Sequence, residues 1–436
     1  MVFKVLTASH ERRSLLSLAL SYAASGGSLI IGSLAQLVTF AILARWLGVD
    51  EFSLFVAVTA IASIAVHLCG VGAMECLVRR VAQDRSMYPV MLGHNIILTA
   101  ASGAALTLLG TIVLPFYFTL AAGPIANVAV MALMMATNIV LVRVIVFTEQ
   151  VFLAHMNFAA ANKVVVGFAL ARTAAAVVAC VVCGVSTVAG WAVWQFAIHV
   201  VVALGCARAL AGLGRPRYAI VREELRQGLL FSIPFILRAA RQNVDLLVLS
   251  VVGSAEIMAS YSVARRMLDS SYLSVEALNR LIYAGSARAA AAGLHHAFDR
   301  VRKVLMAATA ISIAAAVTVA VLAPVLPHLF GHDYVSLVAF VRVLCWVVVP
   351  MAIWAVALEA LGASGHHPVR AAVMAGGSII GTAVTAAAIW LDGATGAFIS
   401  FYVIEIAMVV VAWTALVAVV RSDRRLAFAA TGEGAV

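Results

Sequence analysis

The chain has 436 residues, of which 64% are hydrophobic and only 11% are charged, and its formal net charge is +10. An ordinary soluble domain is about half apolar and about a quarter charged, so a soluble protein of this size has too little interior to bury so much apolar surface. The composition therefore excludes a soluble protein and indicates an integral membrane protein. The positive charge does not require nucleic acid, because most Lys and Arg residues fall in short loops on one predicted side of the membrane.

Stretches of mostly apolar residues follow one another along the whole chain. About 20 such residues suffice for a helix to cross a bilayer, and the pattern predicts an all-α fold with about twelve spans. The predicted spans are 17–44, 52–74, 89–114, 125–147, 162–183, 188–210, 228–252, 256–284, 302–323, 335–360, 369–391 and 396–420.

The distribution of Lys and Arg between the loops predicts how these helices are oriented. The segments on the same predicted side of the membrane as the N-terminus hold twenty Lys or Arg residues, whereas the loops on the opposite side hold only Arg45. Because basic loops stay in the cytoplasm, we expect both termini to be cytoplasmic and the number of helices to be even. The loops are too short for a soluble domain. No G-x-x-x-x-G-K-[ST] loop is present, and we expect no cofactor and no metal.

A weak internal repeat relates the predicted first and seventh helices. Gly48 and Glu51 follow the first, and Gly253 and Glu256 follow the seventh at the same separation. The repeat predicts two parallel halves of six helices, and transporters of that build bind substrate where the halves meet. The expected domains are an N-terminal lobe (1–210), a cytoplasmic linker (211–227), a C-terminal lobe (228–425) and a cytoplasmic tail (426–436).

Eight Arg residues lie at the predicted depth of the membrane. Each would cost about 2.5–3.5 kcal/mol at a helix centre facing lipid, so they must face the bundle interior or water, or reach the interface from a helix end. The acids at clear membrane depth are only four: Asp245, Asp269, Glu276 and Glu405. The eight basic residues are Arg143, Arg172, Arg238, Arg241, Arg265, Arg266, Arg280 and Arg342.

The predicted eighth helix carries a charged stripe. Its members are three or four residues apart and therefore share one helical face; they are Arg265, Asp269, Tyr272, Glu276 and Arg280. The stripe either lines a wet cavity or neutralises itself, because Arg265–Asp269 and Glu276–Arg280 are both i,i+4 pairs. Arg266 has no acid at the i+4 position.

The predicted seventh helix carries a shorter stripe of the same kind. Arg238, Arg241 and Asp245 share one face, and a pair between Arg241 and Asp245 would leave Arg238 available. Gln36 on the first helix either packs against a neighbouring helix or lines a cavity. Glu405 stands alone in the last helix and either carries a coupling proton or neutralises an Arg.

A cationic interior favours an anionic substrate. The planar guanidinium group binds phosphate through a fork of donors, so a diphosphate or phosphate head group is the expected guest. Asp245, Asp269, Glu276 and Glu405 are expected to balance charge or couple transport. The expected substrate-binding residues are Arg238, Arg241, Arg265, Arg266, Arg280, Arg143, Arg172, Gln36 and Tyr272.

Several short motifs are spread along the chain. They are ARWLG at 44–48 with EFSLF at 51–55, LCGVG at 68–72 with RRVA at 79–82, LFG at 329–331 with Tyr334, and LGASG at 361–365. Together these motifs resemble those of a known family, the Wzx-type polysaccharide biosynthesis flippases of the MOP superfamily, and the resemblance runs nearly end to end.

The resemblance implies a two-lobed, MATE-like transporter of twelve helices that works by alternating access and is not an enzyme. Its substrate would be an undecaprenyl-diphosphate-linked oligosaccharide, carried from the cytoplasmic to the periplasmic leaflet of the bacterial inner membrane. Polysaccharide polymerase and export proteins would be its partners. Related flippases for the peptidoglycan precursor have about fourteen helices and an Arg in helix two, which this chain lacks at membrane depth.

Two other functions remain open. A cation-coupled multidrug antiporter of the same superfamily would share the helix count, but its interior should be acidic where it holds cations. An integral membrane glycosyltransferase or polymerase is the enzyme alternative. Asp50 and Glu51 could supply paired carboxylates for it, but they are adequately explained as capping residues of the second helix.

Overall fold

The computed structural model describes the backbone of residues 2–290 and 294–432, and the side chains of residues 27–28, 30–273, 275 and 301–422. Within these residues the chain is helical and contains no strand. The α-helices are α1 (Val2–Leu68), α2 (Ala73–Gln83), α3 (Tyr88–Val113), α4 (Pro124–Met135), α5 (Val142–Ala154), α6 (Phe158–Ala176), α7 (Val188–Ala211), α8 (Arg222–Val252), α9 (Ala255–Ala290), α10 (Leu294–Leu322), α11 (Leu326–Phe330), α12 (Leu337–Leu344), α13 (Val348–Ala363) and α14 (His367–Gly432).

Two of these helices each contain two predicted spans. The first two predicted spans are the arms of α1, which bends at Gly48, where φ is 75°. The last two are the arms of α14, which bends at Asp392 and Gly393. Glycine adopts positive φ without the steric cost that a side chain brings, so the chain can change direction at Gly48 and Gly393 without an intervening loop.

Two π-helical segments interrupt the helices of the first half. Ala136–Leu141 joins α4 to α5, and Val177–Val182 extends α6. The starts of α6 and α7 are fixed by capping side chains: Asn157 accepts from the Ala160 amide, and Thr187 accepts from the Gly190 amide. Because the segment Ala136–Leu141 connects α4 to α5 without a break, the two helices form one continuous rod that carries Arg143.

The surface of the helices is that of a membrane protein. Eight helical stretches of the described residues are long and apolar enough to cross a bilayer. Large apolar side chains point outward along them, including Ile125 at 87% and Leu391 at 84% exposure. Continuous apolar faces of this size are unfavourable in water but not in contact with lipid. The chain is a multi-pass membrane protein. The count of twelve spans and the cytoplasmic termini stay predictions.

The chain divides into two compact units, Met1–Ala239 (unit 1) and Ala240–Val436 (unit 2). The division falls within α8, so the predicted linker 211–227 and the first part of α8 lie in unit 1. In unit 1, α1 packs on α6, and α2 packs on α3 and α5. Its inner core includes Leu77, Tyr88, Met91 and Val151.

Unit 2 is built around α9 and α13. α9 packs against α10, α12 and α13, and α13 packs against the long α14. The core between α13 and α14 contains Leu358, Leu361, Ala412 and Leu416, with Trp354 and Trp413 at its edge. This packing brings charged side chains of α8, α9 and α14 into the interior of the unit.

Candidate functional site

Asp245 on α8 is a carboxylate without exposed surface in unit 2. Arg265 of α9 lies beside it, with Nε 3.0 Å from Asp245 Oδ2. The Tyr261 hydroxyl donates to the same oxygen at 2.9 Å, and the Leu246 amide donates to Oδ1 at 2.9 Å. A buried charge is tolerated only when it is paired and hydrogen-bonded in this way. Both oxygens of Asp245 are therefore occupied.

Arg265 is shared between two acids and a ring. Its Nη1 lies 3.3 Å from Asp269 Oδ1, one helical turn further along α9. Its guanidinium carbon lies 4.4 Å from the centre of the Phe401 ring, a distance at which a cation is attracted to an aromatic face. The self-pairing alternative for the α9 stripe is thus realised at Arg265 and Asp269. The other predicted pair, Glu276 and Arg280, lies outside the described side chains.

A second buried ion pair joins α8 to α14. Arg241 Nη2 contacts Glu405 Oε1, and the Trp354 indole of α13 donates to Glu405 Oε2. The Glu405 side chain is 4% exposed. The i,i+4 pair expected between Arg241 and Asp245 is replaced by this pair because Asp245 is turned toward α9. The geometry of Glu405 is that of a residue that neutralises an Arg.

The described charges at this place in unit 2 balance. Arg241 and Arg265 contact three acids, Asp245, Asp269 and Glu405, and Arg266 interacts electrostatically with Asp269. Arg266 and Tyr272 are half-buried on α9. A guanidinium has five N–H donors, and the ion pairs of Arg241 and Arg265 use only some of them. These groups can therefore stay paired and still donate to an anion.

The remaining predicted site residues belong to unit 1 and differ in their surroundings. Arg238 on α8 is exposed and has no acidic partner among the described side chains. Arg143 on α5 is 4% exposed, and its Nη2 lies 3.7 Å from Glu75 Oε2 of α2. Arg172 on α6 and Gln36 on α1 are half-buried.

Glu224 is a charged residue whose partners the sequence did not reveal. It lies at the start of α8, its side chain is 1% exposed, and it pairs with Arg79 and Arg80 of α2 at 2.7 and 2.6 Å. Burial by itself raises the pKa of Glu224, but the hydrogen bonds and charges of the two arginines outweigh it and leave the pKa below its ordinary value. The available signal was the pair of acids Glu223 and Glu224 in an otherwise basic loop.

The fold is that of MATE transporters. A solved structure described as the inward-facing conformation of a multidrug resistance MATE family transporter of the MOP superfamily matches with a TM-score of 0.69 and 15% identity, over 90% of this chain and 96% of that one. An outward-facing structure under the same description matches at 0.65 and 15%, over 93% and 96%. The Vibrio cholerae MATE transporter VcmN in the bent form matches at 0.62 and 16%, over 94% and 98%.

The family follows from the sequence. The family described as polysaccharide biosynthesis protein matches residues 21–271, more than half of the chain, and the chain belongs to that family. The resemblance drawn from the short motifs is thereby confirmed. No curated protein matches the chain.

Proposed function

We propose that this protein carries a polyprenyl-diphosphate-linked oligosaccharide from the cytoplasmic to the periplasmic leaflet of the bacterial inner membrane, for surface or exopolysaccharide synthesis. The observation that carries the proposal is the membership of a polysaccharide biosynthesis family by a chain with a transporter fold. Such a substrate has an anionic diphosphate between a lipid tail and a sugar head. The tail stays in the bilayer, so the protein must shelter only the polar part.

The arginines expected to bind phosphate are Arg238 in unit 1 and Arg241, Arg265 and Arg266 in unit 2. Arg238 is exposed, and Arg266 is half-buried next to Arg265. Arg241 and Arg265 keep part of their N–H donors outside their ion pairs. A guanidinium remains charged at any physiological pH and binds phosphate oxygens in pairs, which favours a diphosphate over a neutral guest.

The mechanism would be alternating access, with the cationic groups exposed first to one side and then to the other. Moving one elementary charge across the membrane is worth about 2.3 kcal/mol per 100 mV. The membrane potential or a coupled proton can therefore drive the cycle without a nucleotide. Glu405 is one of the acids at membrane depth that are able to bind such a proton.

The direct test is a strain in which the gene is deleted. The lipid-linked oligosaccharide should accumulate on the cytoplasmic face, as scored with a membrane-impermeant sugar probe, and polysaccharide export should stop. Intermediates that reach the periplasmic face normally, or that are shorter than in wild type, would contradict flipping. The sugar that accumulates also identifies the substrate.

Neutralising the expected phosphate-binding residues gives a finer test. We expect Arg238→Ala and Arg266→Ala to reduce export at least about tenfold, because each removes charge-assisted hydrogen bonds worth about 1.5–3 kcal/mol. The protein should still reach the membrane in normal amounts. Arg342→Ala is the matched control, since Arg342 is an exposed Arg of α12. Normal export by both test variants would refute a role for these two arginines in binding the substrate.

A multidrug antiporter is the second candidate, favoured by the fold shared with MATE transporters. It predicts that the deletion strain becomes sensitive to cationic drugs while polysaccharide export continues. The two functions are therefore separated by the same strain.

A further inference from the structure

The turn between α1 and α2 has a strained backbone. Three successive residues have positive φ: Gly70 at 81°, Val71 at 48° and Gly72 at 72°. Glycine accepts this conformation, but a β-branched side chain such as that of Val71 rarely does. Strain of this kind persists only where the surrounding structure enforces it, and it concentrates at functional sites.

Buried polar side chains of α3 and α5 pack closely against one side of this turn. A Cβ at Gly70 would lie 2.9 Å from Thr99 Oγ1 of α3 and 3.5 Å from Arg143 Nε of α5. The Gly70 amide donates to Ser102 Oγ at 2.7 Å. The turn therefore rests directly on the Arg143 guanidinium and on α3.

The start of α8 presses on the same turn from the other side. A Cβ at Gly72 would lie 1.9 Å from the Gly228 carbonyl oxygen, and one at Gly228 would lie 2.5 Å from the Val71 carbonyl oxygen. Backbone meets backbone here, so neither side can shift alone. A displacement at Arg143 would reach α8 through residues 70–72.

The ion pair between Arg143 and Glu75 is long and lacks a hydrogen bond. Arg143 Nη2 lies 3.7 Å from Glu75 Oε2, and this oxygen accepts no hydrogen bond from the described residues. Arg143 Nε and Asn95 Nδ2 likewise lack a hydrogen-bond partner there. Glu405, by contrast, receives a donor on each oxygen. The Glu75 side chain is 19% exposed although Oε2 itself is buried, so a proton reaches the carboxyl group from its exposed part.

Other charged and titratable groups lie near the ion pair between Glu75 and Arg143. Arg143 is the cation in contact with Glu75. The titratable and charged groups nearby are Arg79 and Cys76 on α2, His67 at the end of α1 with Cys69 just beyond it, His94 on α3, and Glu224 and Arg238 on α8.

We propose that Glu75 is a proton-binding site and that its proton controls the 70–72 turn and the start of α8. The proton binds the Glu75 carboxylate, whose buried Oε2 has no donor, and the carboxyl group becomes neutral. Arg143 stays charged and loses its attraction to Glu75, so the support beneath Gly70 weakens and Val71 can relax. Only the link between this proton and transport rests on the proposed function. In that role Glu75, rather than Glu405, would be the residue that couples proton binding to transport.

Hydrogen exchange of the purified full chain in detergent, without substrate, tests this site. The Ala73 and Cys76 amides bond the Gly70 and Gly72 carbonyl oxygens at 2.9 and 3.2 Å. In Glu75→Gln, which mimics the protonated acid, these amides and those of 222–228 should exchange about tenfold faster than in wild type. Wild type should approach the variant as pH falls, after correction for intrinsic rates, and the variant should not respond.

Glu359→Gln is the matched control, because Glu359 is a partly exposed carboxylate paired with Arg370 at 2.8 Å. It should leave exchange at both segments unchanged. Wild-type exchange in Glu75→Gln, or a pH response that survives in it, overturns the proposal. If that variant does not fold, Glu75→Asp should shift the pH midpoint of exchange, and an unshifted midpoint also overturns it. Since no substrate is present, failure of the flippase function would leave these outcomes unchanged.

Discussion

At the scale of single residues, the charges inside this protein are stabilised by partners on other helices. Asp245 has donors from Tyr261 and Arg265, and Glu405 has donors from Arg241 and Trp354. Removing one member of such a pair leaves the other charge buried without compensation, which costs more than the pair contributes. The pairs are therefore sensitive to single substitutions and tolerant of matched double ones.

The Arg241–Glu405 pair can be tested by a double-mutant cycle. We expect Glu405→Gln to lower the free energy of unfolding by about 3 kcal/mol, because Arg241 is left unpaired. The double variant with Arg241→Gln should lose less than the sum of the two single losses. Chemical unfolding in detergent measures both. Additive losses would mean that the pair does not interact.

Glu224 should make stability depend on pH. Its folded pKa lies below the ordinary value, so its stabilising contribution is complete above the unfolded pKa and is lost as pH falls through the folded pKa. Glu224→Gln should lower unfolding free energy by about 1–2 kcal/mol at neutral pH, a reduced figure because both arginines reach water. Its melting temperature should also fall less on acidification than that of wild type.

The control for that prediction is Glu223→Gln. Glu223 precedes Glu224 and is exposed, so its variant should melt as wild type does at every pH. Equal effects of the two substitutions would argue against the ion pairs of Glu224.

At the scale of helices, close approaches of backbone fix where the connection between α7 and α8 runs. The Arg217 amide donates to the Pro89 carbonyl at 2.8 Å, and the Val221 amide donates to His94 Nδ1 at 3.2 Å. Only glycine fits at Gly93, since a Cβ there would lie 2.0 Å from the Arg217 carbonyl oxygen. This segment is therefore docked on α3 and is part of unit 1.

Gly93→Ala should therefore destabilise the protein. The new methyl group would collide with backbone, and we expect a loss of about 1–3 kcal/mol, measured as a lower melting temperature in detergent. Gly205→Ala on α7 is the matched control, because a Cβ there meets nothing within 4 Å. It should be neutral or slightly stabilising, as Ala is favoured over Gly in a helix. Equal melting of both variants would contradict the close docking.

At the scale of the whole molecule, the apolar outer faces and the basic loops define how the chain sits in the membrane. Exposed aliphatic side chains cover the helices, and twenty Lys or Arg residues fall in the loops predicted to be cytoplasmic. Long apolar helices that expose such faces need lipid around them. Orientation is then decided by the cost of moving the basic loops across.

Reporter fusions test this orientation. A fluorescent reporter at the C-terminus should be active, because the last predicted span returns the chain to the cytoplasm. An alkaline phosphatase fused after Gly184, in a predicted outer loop, should also be active, since that enzyme matures only outside. The converse pattern at either point would refute the alternation of the twelve predicted spans.

The sequence by itself determined the membrane class, most helical segments and the family, because apolar length, basic loops and short motifs are local properties. It also located the charged stripes of α8 and α9. It did not show that α1 and α14 each run through two spans, since a bend at Gly48 or Gly393 resembles a loop in sequence.

Only the tertiary structure decided which charges meet. Glu405 is 164 residues from Arg241, and Asp245 is 20 residues from Arg265. The i,i+4 rule identifies partners on one helix, as for Arg265 and Asp269. Pairing between helices depends on their packing and rotation, which no local pattern encodes. For the same reason, the contact of Glu75 with Arg143 beneath the 70–72 turn emerged only once α2, α3 and α5 were packed together.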